Sequence, residues 1–356
     1  MQSYVLGMKR SSTISGGNFT EDSDVTSTSK RLNLDNNLSI PLNTLDAKES
    51  NATINDANNF ELEGIDDLLN EFEPEEKKEQ KVSKARQLLD VMLANKITCY
   101  DDWCLEQNLD AYIEYSSYRN FNHDCAKFYK VVSVKQLKFN FQDFYKPKEP
   151  IKDTPKIHKI MKMQYPKWNN KASTWFCNLL KMHFNKELGK RNTLCFRGVA
   201  NAGKSQLMAT YVQWMVGNHY GKPSNNKNSS FPFDNCVNKR LILWEEPLVV
   251  PENIEDVKLL MGGEELRADI KFDSMMNVGR TPLIITTNNK LSKYMNEAQD
   301  ALSKRMFEFW FSKALDSTLF PIHGNDWQEF FDKYYIEEMT LTDIYKFLKS
   351  KPMSNN

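Results

Sequence analysis

The sequence lacks the residue patterns of a metal-built or disulfide-built protein. Its five histidines (His123, His158, His183, His219, His323) and six cysteines (Cys99, Cys104, Cys125, Cys177, Cys195, Cys236) form no C-x-x-C pair and no Cys–His pair at ligand spacing. No metal-ligand spacing is therefore present. The thiols are expected to be reduced and mostly buried, as in an intracellular protein. No apolar run approaches the roughly 20 residues of a membrane span, and the opening MQSYVLGMKRSS has no signal-peptide core. Neither secretion nor a membrane partner is expected. Net charge is missing too, with 47 basic residues against 47 acidic ones. The balance hides an asymmetry: residues 1–79 hold 16 acids and 7 bases, a net of −9, which leaves +9 on the remainder. An acidic leader ahead of a basic body points to nucleic acid as a partner of the body.

Residues 1–59 are rich in Ser, Thr, Asn and Asp with only scattered apolar residues. They bury too little to offset the entropy of ordering, so a disordered leader is expected over 1–82. Within it, Phe60, Ile65, Leu68, Leu69 and Phe72 sit among nine acids, a pattern that suits either a solvated spacer or a short partner-binding helix. From 83 the texture changes. Leu88, Leu89, Met92 and Leu93 share one helical face, and Thr98 with Asp101 reads as a capping box before a second helix. Large residues from Val134 to Tyr145 end at Pro147 and Pro150, so 83–150 reads as a small helical domain with a connector. Thr154 and Pro155 then suit a helix start, and Trp175, Phe176, Leu179, Leu180 and Phe184 make the apolar face of a helix.

The chain is organised around residues 193–216. A short apolar run, 193–196, leads into Gly198, Val199, Ala200, Asn201, Ala202, Gly203, Lys204 and Ser205, and then into a stretch of helical spacing. This is the phosphate-binding pattern G-x-x-x-x-G-K-[ST] in its strand–loop–helix setting. The two glycines let the backbone curl so that its N–H groups make an anion nest. The helix start adds the positive end of its dipole. Lys204 is expected on the β- and γ-phosphates and Ser205 on Mg²⁺. Further on, four apolar residues, 241–244, end in Glu245 and Glu246, the signature of a buried parallel strand whose carboxyl end reaches the ligand crevice. One acid there holds Mg²⁺ and its neighbour polarises the attacking water. Ser205 with Glu245 is the candidate metal pair, although the sequence leaves open which acid plays which part. A second such run, 281–287, ends in Asn288, an amide placed to orient water or to sense the γ-phosphate. ATP and Mg²⁺ are the expected cofactors.

The order of these motifs resembles the superfamily 3 helicases of small DNA viruses. More closely, it is similar to the large nonstructural replication initiator proteins of parvoviruses and their insect-infecting densovirus relatives. The matching residues are the phosphate loop with 189–193 before it, the 231–236 segment, Trp244-Glu245-Glu246, Met261-Gly262-Gly263 with 267–271, the 282–288 strand, and Leu302-Ser303-Lys304-Arg305. The likeness covers about 85 to 335. It implies that Lys271 belongs to a hairpin gripping single-stranded DNA inside a ring, and that Arg305 is the finger reaching a neighbouring subunit's nucleotide. Here the hairpin departs from relatives that carry a second basic residue nearby: Phe272 and Asp273 come after Lys271, which weakens the grip or lets Phe272 contribute stacking. The likeness also implies a catalytic set of Glu245, Glu246, Asn288 and Arg305. Relatives carry a nicking nuclease with two metal-binding histidines one residue apart; no two histidines here are so spaced, and no nicking activity is assigned.

The expected fold is α/β, an AAA+-like P-loop core with a central parallel sheet over 151–340. A helical oligomerisation collar over 83–150 and the disordered leader precede it, and a short tail over 341–356 comes after it. The expected activity is ATP hydrolysis between subunits of a ring, hexameric by resemblance, driving translocation on single-stranded DNA and unwinding of duplex during viral genome replication. The expected partners are single-stranded and duplex DNA, further copies of the chain and host replication proteins, in the host nucleus. Two rivals remain open: a motor that packages or translocates DNA without unwinding it, and a non-enzymatic viral regulator with a degenerate helicase.

Overall fold

The computed structural model describes residues 82–225, 229, 231–269, 276–335 and 338–349; the expected leader, 1–81, lies outside them. The first described elements are four helices: α1 (Lys84–Ala94), α2 (Tyr100–Trp103), α3 (Leu109–Ser116) and α4 (Phe121–Leu137). Ser83 caps α1 through its hydroxyl, which accepts from the Arg86 amide at 3.2 Å. The cap of α2 differs from the expected Thr98–Asp101 pair. Cys99 is the cap residue, and the carboxylate that closes the turn is Asp102, which accepts from Thr98 N at 2.7 Å, Thr98 Oγ1 at 2.8 Å and Cys99 N at 3.2 Å. The register falls one residue later because Asp102 is three residues beyond Cys99 and is buried against its donors. Leu88, Leu89, Met92, Trp103, Phe121 and Phe128 pack into the core of this bundle. All six cysteines are free, and Cys125, Cys177, Cys195 and Cys236 are buried while Cys104 is exposed.

The connector does not continue that core. In α5 (Phe141–Phe144) and just after it, Phe141 and Tyr145 pack into the larger core of the α/β unit. Arg240, 2% exposed, fixes the junction: Nε and Nη2 donate to Phe139 O at 3.2 and 2.9 Å, and the guanidinium lies 4.0 Å from the Phe184 ring centroid.

Then come α6 (Lys156–Gln164), α7 (Asn170–Phe184), β1 (Thr193–Gly198), α8 (Lys204–Val216), β2 (Tyr220–Gly221) and β3 (Leu241–Glu245). They are succeeded by α9 (Ile254–Gly262), β4 (Leu266–Ala268), β5 (Met276–Val278), β6 (Leu283–Thr287), α10 (Gln299–Ser303), β7 (Met306–Phe311), α11 (Gly324–Tyr334) and α12 (Leu341–Lys349). Five strands form one sheet in the order β2-β3-β6-β1-β7, every pair parallel, while β4 and β5 make a separate antiparallel pair. The strands are short apolar runs because both faces are covered. On one face Phe196 and Phe309 stack at 4.7 Å between centroids, beneath Phe176 and Trp327. On the other, Cys195, Ile242, Trp244 and Ile285 meet Val257, Met261 and Leu302. The fold class is therefore the α/β arrangement expected. The residues read as a tail begin differently: Leu341–Lys349 is the helix α12, held by Trp175 Nε1 donating to Ile344 O at 3.1 Å.

Two histidines sit inside this framework in neutral form. His183 Nε2 faces Asn192 O at 3.0 Å and Leu283 O at 3.2 Å, two carbonyls that require it to donate, and burial pulls its pKa down to about 4. His219 faces Asn238 O at 2.9 Å, and burial, helped by Lys239, brings it to about 3. Folded values below the ordinary 6.5 mean that the folded state binds fewer protons than the unfolded chain. Their contribution is whole above pH 6.5 and is lost as pH falls through that value toward about 4. Melting temperature should drop steeply over that window. His183→Gln, which keeps a donor, should flatten the fall; an unchanged profile would show that His183 does not drive it.

Candidate nucleotide site

Because the sheet is parallel, the carboxyl ends of β1, β3 and β6 open on one edge, the place where such sheets bind ligands. The loop after β1 leaves the strand at Gly198, whose φ is +157 and where a Cβ would lie 1.8 Å from Phe311 O. The Val199 amide donates to that same oxygen at 2.9 Å. Asn201 has φ 58 and accepts from the Leu315 amide at 2.8 Å, and Gly203, with φ +80, would push a Cβ to 2.7 Å from Leu315 Cδ2. Val199, Ala200 and Asn201 are exposed, whereas Ala202 is buried beneath them. The loop is thus clamped from outside by the segment that succeeds β7. Gly203 caps α8 with no side chain, and the first turn carries no acid. The amides there are unanswered within the helix, an anion-receptive end in the sense the motif requires.

Lys204 is only 5% exposed. Its ammonium donates to Val199 O at 2.6 Å, Gly198 O at 3.3 Å and Asn288 Oδ1 at 2.9 Å. Burial lowers its pKa, and the charge of Glu246 partly restores it. Asn288, just beyond β6, donates its backbone N–H to the Glu246 carboxylate at 3.0 and 3.2 Å. Glu246 also accepts from Thr287 Oγ1 at 3.1 Å, and its own amide donates to Thr286 O at 2.8 Å. It holds φ 46, an unfavourable conformation for a glutamate. Glu245 ends β3 in register with Thr286, with an exposed side chain. The Ser205 hydroxyl is 3.3 Å from Thr286 Oγ1. Lys204, Asn288 and Glu246 therefore form one hydrogen-bonded line across three strand ends, with Ser205, Thr286 and Glu245 beside it.

This donor set fits Mg²⁺ and a nucleotide. Among the described residues no three His, Cys, Asp or Glu side chains converge, so there is no protein cage. Magnesium suits such a place, because it keeps waters and takes one or two protein oxygens plus phosphates. The residues that would hold it are Ser205 and Glu245. Three contributors escaped the sequence. Thr286 and Thr287 looked like ordinary β-branched strand residues. Asn225, in a polar loop, accepts from Trp244 Nε1 at 2.6 Å and donates to Glu245 O at 2.7 Å. No periodicity marks it.

The other expected residues are elsewhere. Arg305 precedes β7 at the opposite end of the sheet: Met306 pairs with Thr193 and Phe311 with Gly198. The length of β1 separates it from its own phosphate loop, about 16 Å at the usual strand rise. Its Nη1 donates to Ala301 O at 2.8 Å, and Glu264 lies 3.9 Å from Nη2. Lys271 and Phe272 lie outside the described residues, between β4 and β5.

A family model described as parvovirus non-structural protein NS1 matches residues 75–346. Protein Rep52 of adeno-associated virus 2 is 26% identical over 244 residues, which cover 66% of this chain and 59% of Rep52. Initiator protein NS1 of human bocavirus 2 is 33% identical over 165 residues, covering 44% of this chain and 21% of that protein. Initiator protein NS1 of porcine parvovirus, strain NADL-2, is 35% identical over 117 residues, covering 33% and 17%. The chain spans less than two thirds of the length of each.

The clamp on the loop makes a direct prediction. Gly198→Ala should weaken binding of a fluorescent ATP analogue at least tenfold, because the added carbon and Phe311 O cannot share that space. At Gly189, φ is +58 but nothing lies within 4 Å of an added Cβ, so Gly189→Ala should lower stability by only about 1 kcal/mol. Equal analogue affinity in wild type and Gly198→Ala would remove the loop from the site.

Proposed function

Because the chain belongs to the parvovirus non-structural protein NS1 family, we propose that it is an ATP-dependent DNA helicase of viral genome replication, working as a hexameric ring. The observation that carries this reading is the line from Lys204 through Asn288 to Glu246. A phosphate-loop lysine, a sensor asparagine and an acid, gathered past the ends of three different strands, share one hydrogen-bonded set, which suits coupling γ-phosphate recognition to water activation. Lys204 exchanges the carbonyls of its own loop for phosphate oxygens. Glu246, fixed by Asn288 N and Thr287 Oγ1, positions and polarises the attacking water. Ser205 and Glu245 supply oxygens for Mg²⁺, which neutralises charge on the phosphates when bound. The side-chain carboxamide of Asn288 follows the γ-phosphate, while its backbone N–H holds Glu246.

Arg305 cannot serve its own loop from the far end of β1, so it serves a neighbour's, which is the reason for a ring. Lys271 and Phe272 grip the strand in the channel, where backbone charge and stacking matter and sequence does not. Host replication proteins and the host nucleus complete the proposal.

Lys204→Ala should bind ATP weakly and lose hydrolysis while staying folded, since its three hydrogen bonds go to its own loop and to Asn288 beyond β6 and not into either core; wild-type turnover would remove the assignment. Arg305→Ala should bind ATP normally and hydrolyse it about 10³-fold or more slowly, the scale of a finger supplied in trans. Mixed with Lys204→Ala, it should regain part of the activity, because some interfaces then pair an intact loop with an intact finger. Verified mixed oligomers that stay inactive at every ratio would refute a shared site.

A further inference from the structure

The strongest feature left unused by the nucleotide site is a concentration of lysine. Residues 146–171 contain eight lysines and two acids, a net of +6. The segment runs through α6 and into the first turn of α7, and its helical faces are sharply divided. Ile157, His158, Ile160, Met161 and Gln164 are buried, while Lys152, Lys159, Lys162, Lys167 and Lys171 are exposed. Lys313 joins them from the segment after β7, since its backbone amide and carbonyl bond the Gln164 side chain at 3.1 and 2.7 Å.

Little in the fold uses this charge. Lys156 pairs with Asp326 at 3.2 Å. Among the described residues, none of Lys152, Lys159, Lys162, Lys171 and Lys313 has a carboxylate within ion-pair distance, and the first turns of α6 and α7 contain no acid. The field reaches inward: His158, beneath the surface, has its pKa lowered first by burial and then by Lys162 and Lys333. Ammonium groups grouped without partners repel one another, and a polyanion relieves that repulsion. The aromatic residues within the segment, Tyr165 and Trp168, are each 1% exposed. The 146–171 segment itself therefore presents point charges and no exposed ring. Single strands are usually held by stacking as well as charge, whereas duplex can be held through its phosphates alone.

We propose that the exposed lysine face of α6 and the start of α7 docks duplex DNA by its phosphate backbone, outside the channel that takes the single strand. The proposal rests on the reading of the chain as a DNA motor. The surface would steady the duplex ahead of the point of unwinding, without reading sequence.

The test uses the full chain with Lys159→Gln, Lys162→Gln and Lys171→Gln combined, beside a variant with arginine at the same three positions. Fluorescence anisotropy would follow a blunt duplex and oligo(dT) from 50 to 200 mM salt, with melting temperature as the fold control. Loss of three phosphate contacts should reduce the duplex salt slope by about 2 to 3 and weaken duplex binding roughly tenfold or more. Oligo(dT) affinity should change less than about threefold, and the arginine variant should bind duplex like wild type. An unchanged duplex slope in the glutamine variant overturns the proposal, as does equal loss in the arginine variant. It also falls if the variants differ from wild type only while residues 1–79 are present, because the face would then serve that acidic segment. A wild-type chain that binds no DNA at all would instead refute the functional reading beneath it.

Discussion

The contact on which the site depends is the approach of Gly198 to Phe311. The last rungs of β1 and β7 lie so close that the first residue of the phosphate loop has room for hydrogen only. That contact sets the direction in which the chain leaves β1, and the Val199 amide fixes it again on the same carbonyl oxygen. From there the loop is held at Asn201 and Gly203 by Leu315, so its curvature comes from the neighbouring strand and its continuation. An anion nest works only if its amides already point inward, and here the preorganisation comes from long-range packing. The aromatic stack of Phe196 on Phe309, two residues before each partner of that contact, keeps the strands in this register.

The buried ammonium of Lys204 is a consequence of the same geometry. Desolvation works against its charge, and three oxygen acceptors together with the nearby negative charge of Glu246 offset that effect. Two of the acceptors are carbonyls of the loop itself, so the lysine stiffens the nest that surrounds it. Glu246 is placed by a costlier device. A glutamate at φ 46 is disfavoured by about 1 kcal/mol or more, and it stays there because its amide and its carboxylate are both bonded to the end of β6. Backbone strain just past a strand, held by a neighbouring strand, belongs to sites more often than to plain cores.

What the sequence made legible was whatever local chemistry dictates. The Gly198–Ser205 pattern, the apolar runs ending at Glu245 and Asn288, and the amphipathic helices each carry their own signal, and together they implied a parallel sheet with one active edge. The capping register at Asp102 was off by one because Thr98 and Cys99 both suit the flanking turn, and only burial chooses between Asp101 and Asp102. The contributions of Phe311, Leu315, Thr286 and Asn225 could not be read, since each acts through a partner at least 19 residues away. The helix α12 was hidden for a similar reason: its anchor is the Trp175 indole, which bonds a backbone carbonyl that any residue could supply.

The position of Arg305 links the two ends of the sheet. β7 carries the Gly198 contact at its carboxyl end and Arg305 just before its amino end, so one strand ties the clamp on this subunit's loop to the group proposed for another's. Within its own chain the guanidinium has only modest partners, a carbonyl at 2.8 Å and a half-exposed carboxylate at 3.9 Å. Ion pairs of that kind are worth about 0 to 1 kcal/mol, while a desolvated phosphate offers considerably more. Its Nε is buried with no partner among the described residues, so the intramolecular arrangement leaves a donor unsatisfied. Glu264, the weaker partner, stands between α9 and β4, at the foot of the strand pair that leads to Lys271. In the proposed ring, an arginine that exchanged Glu264 for a neighbour's nucleotide would free the turn between α9 and β4.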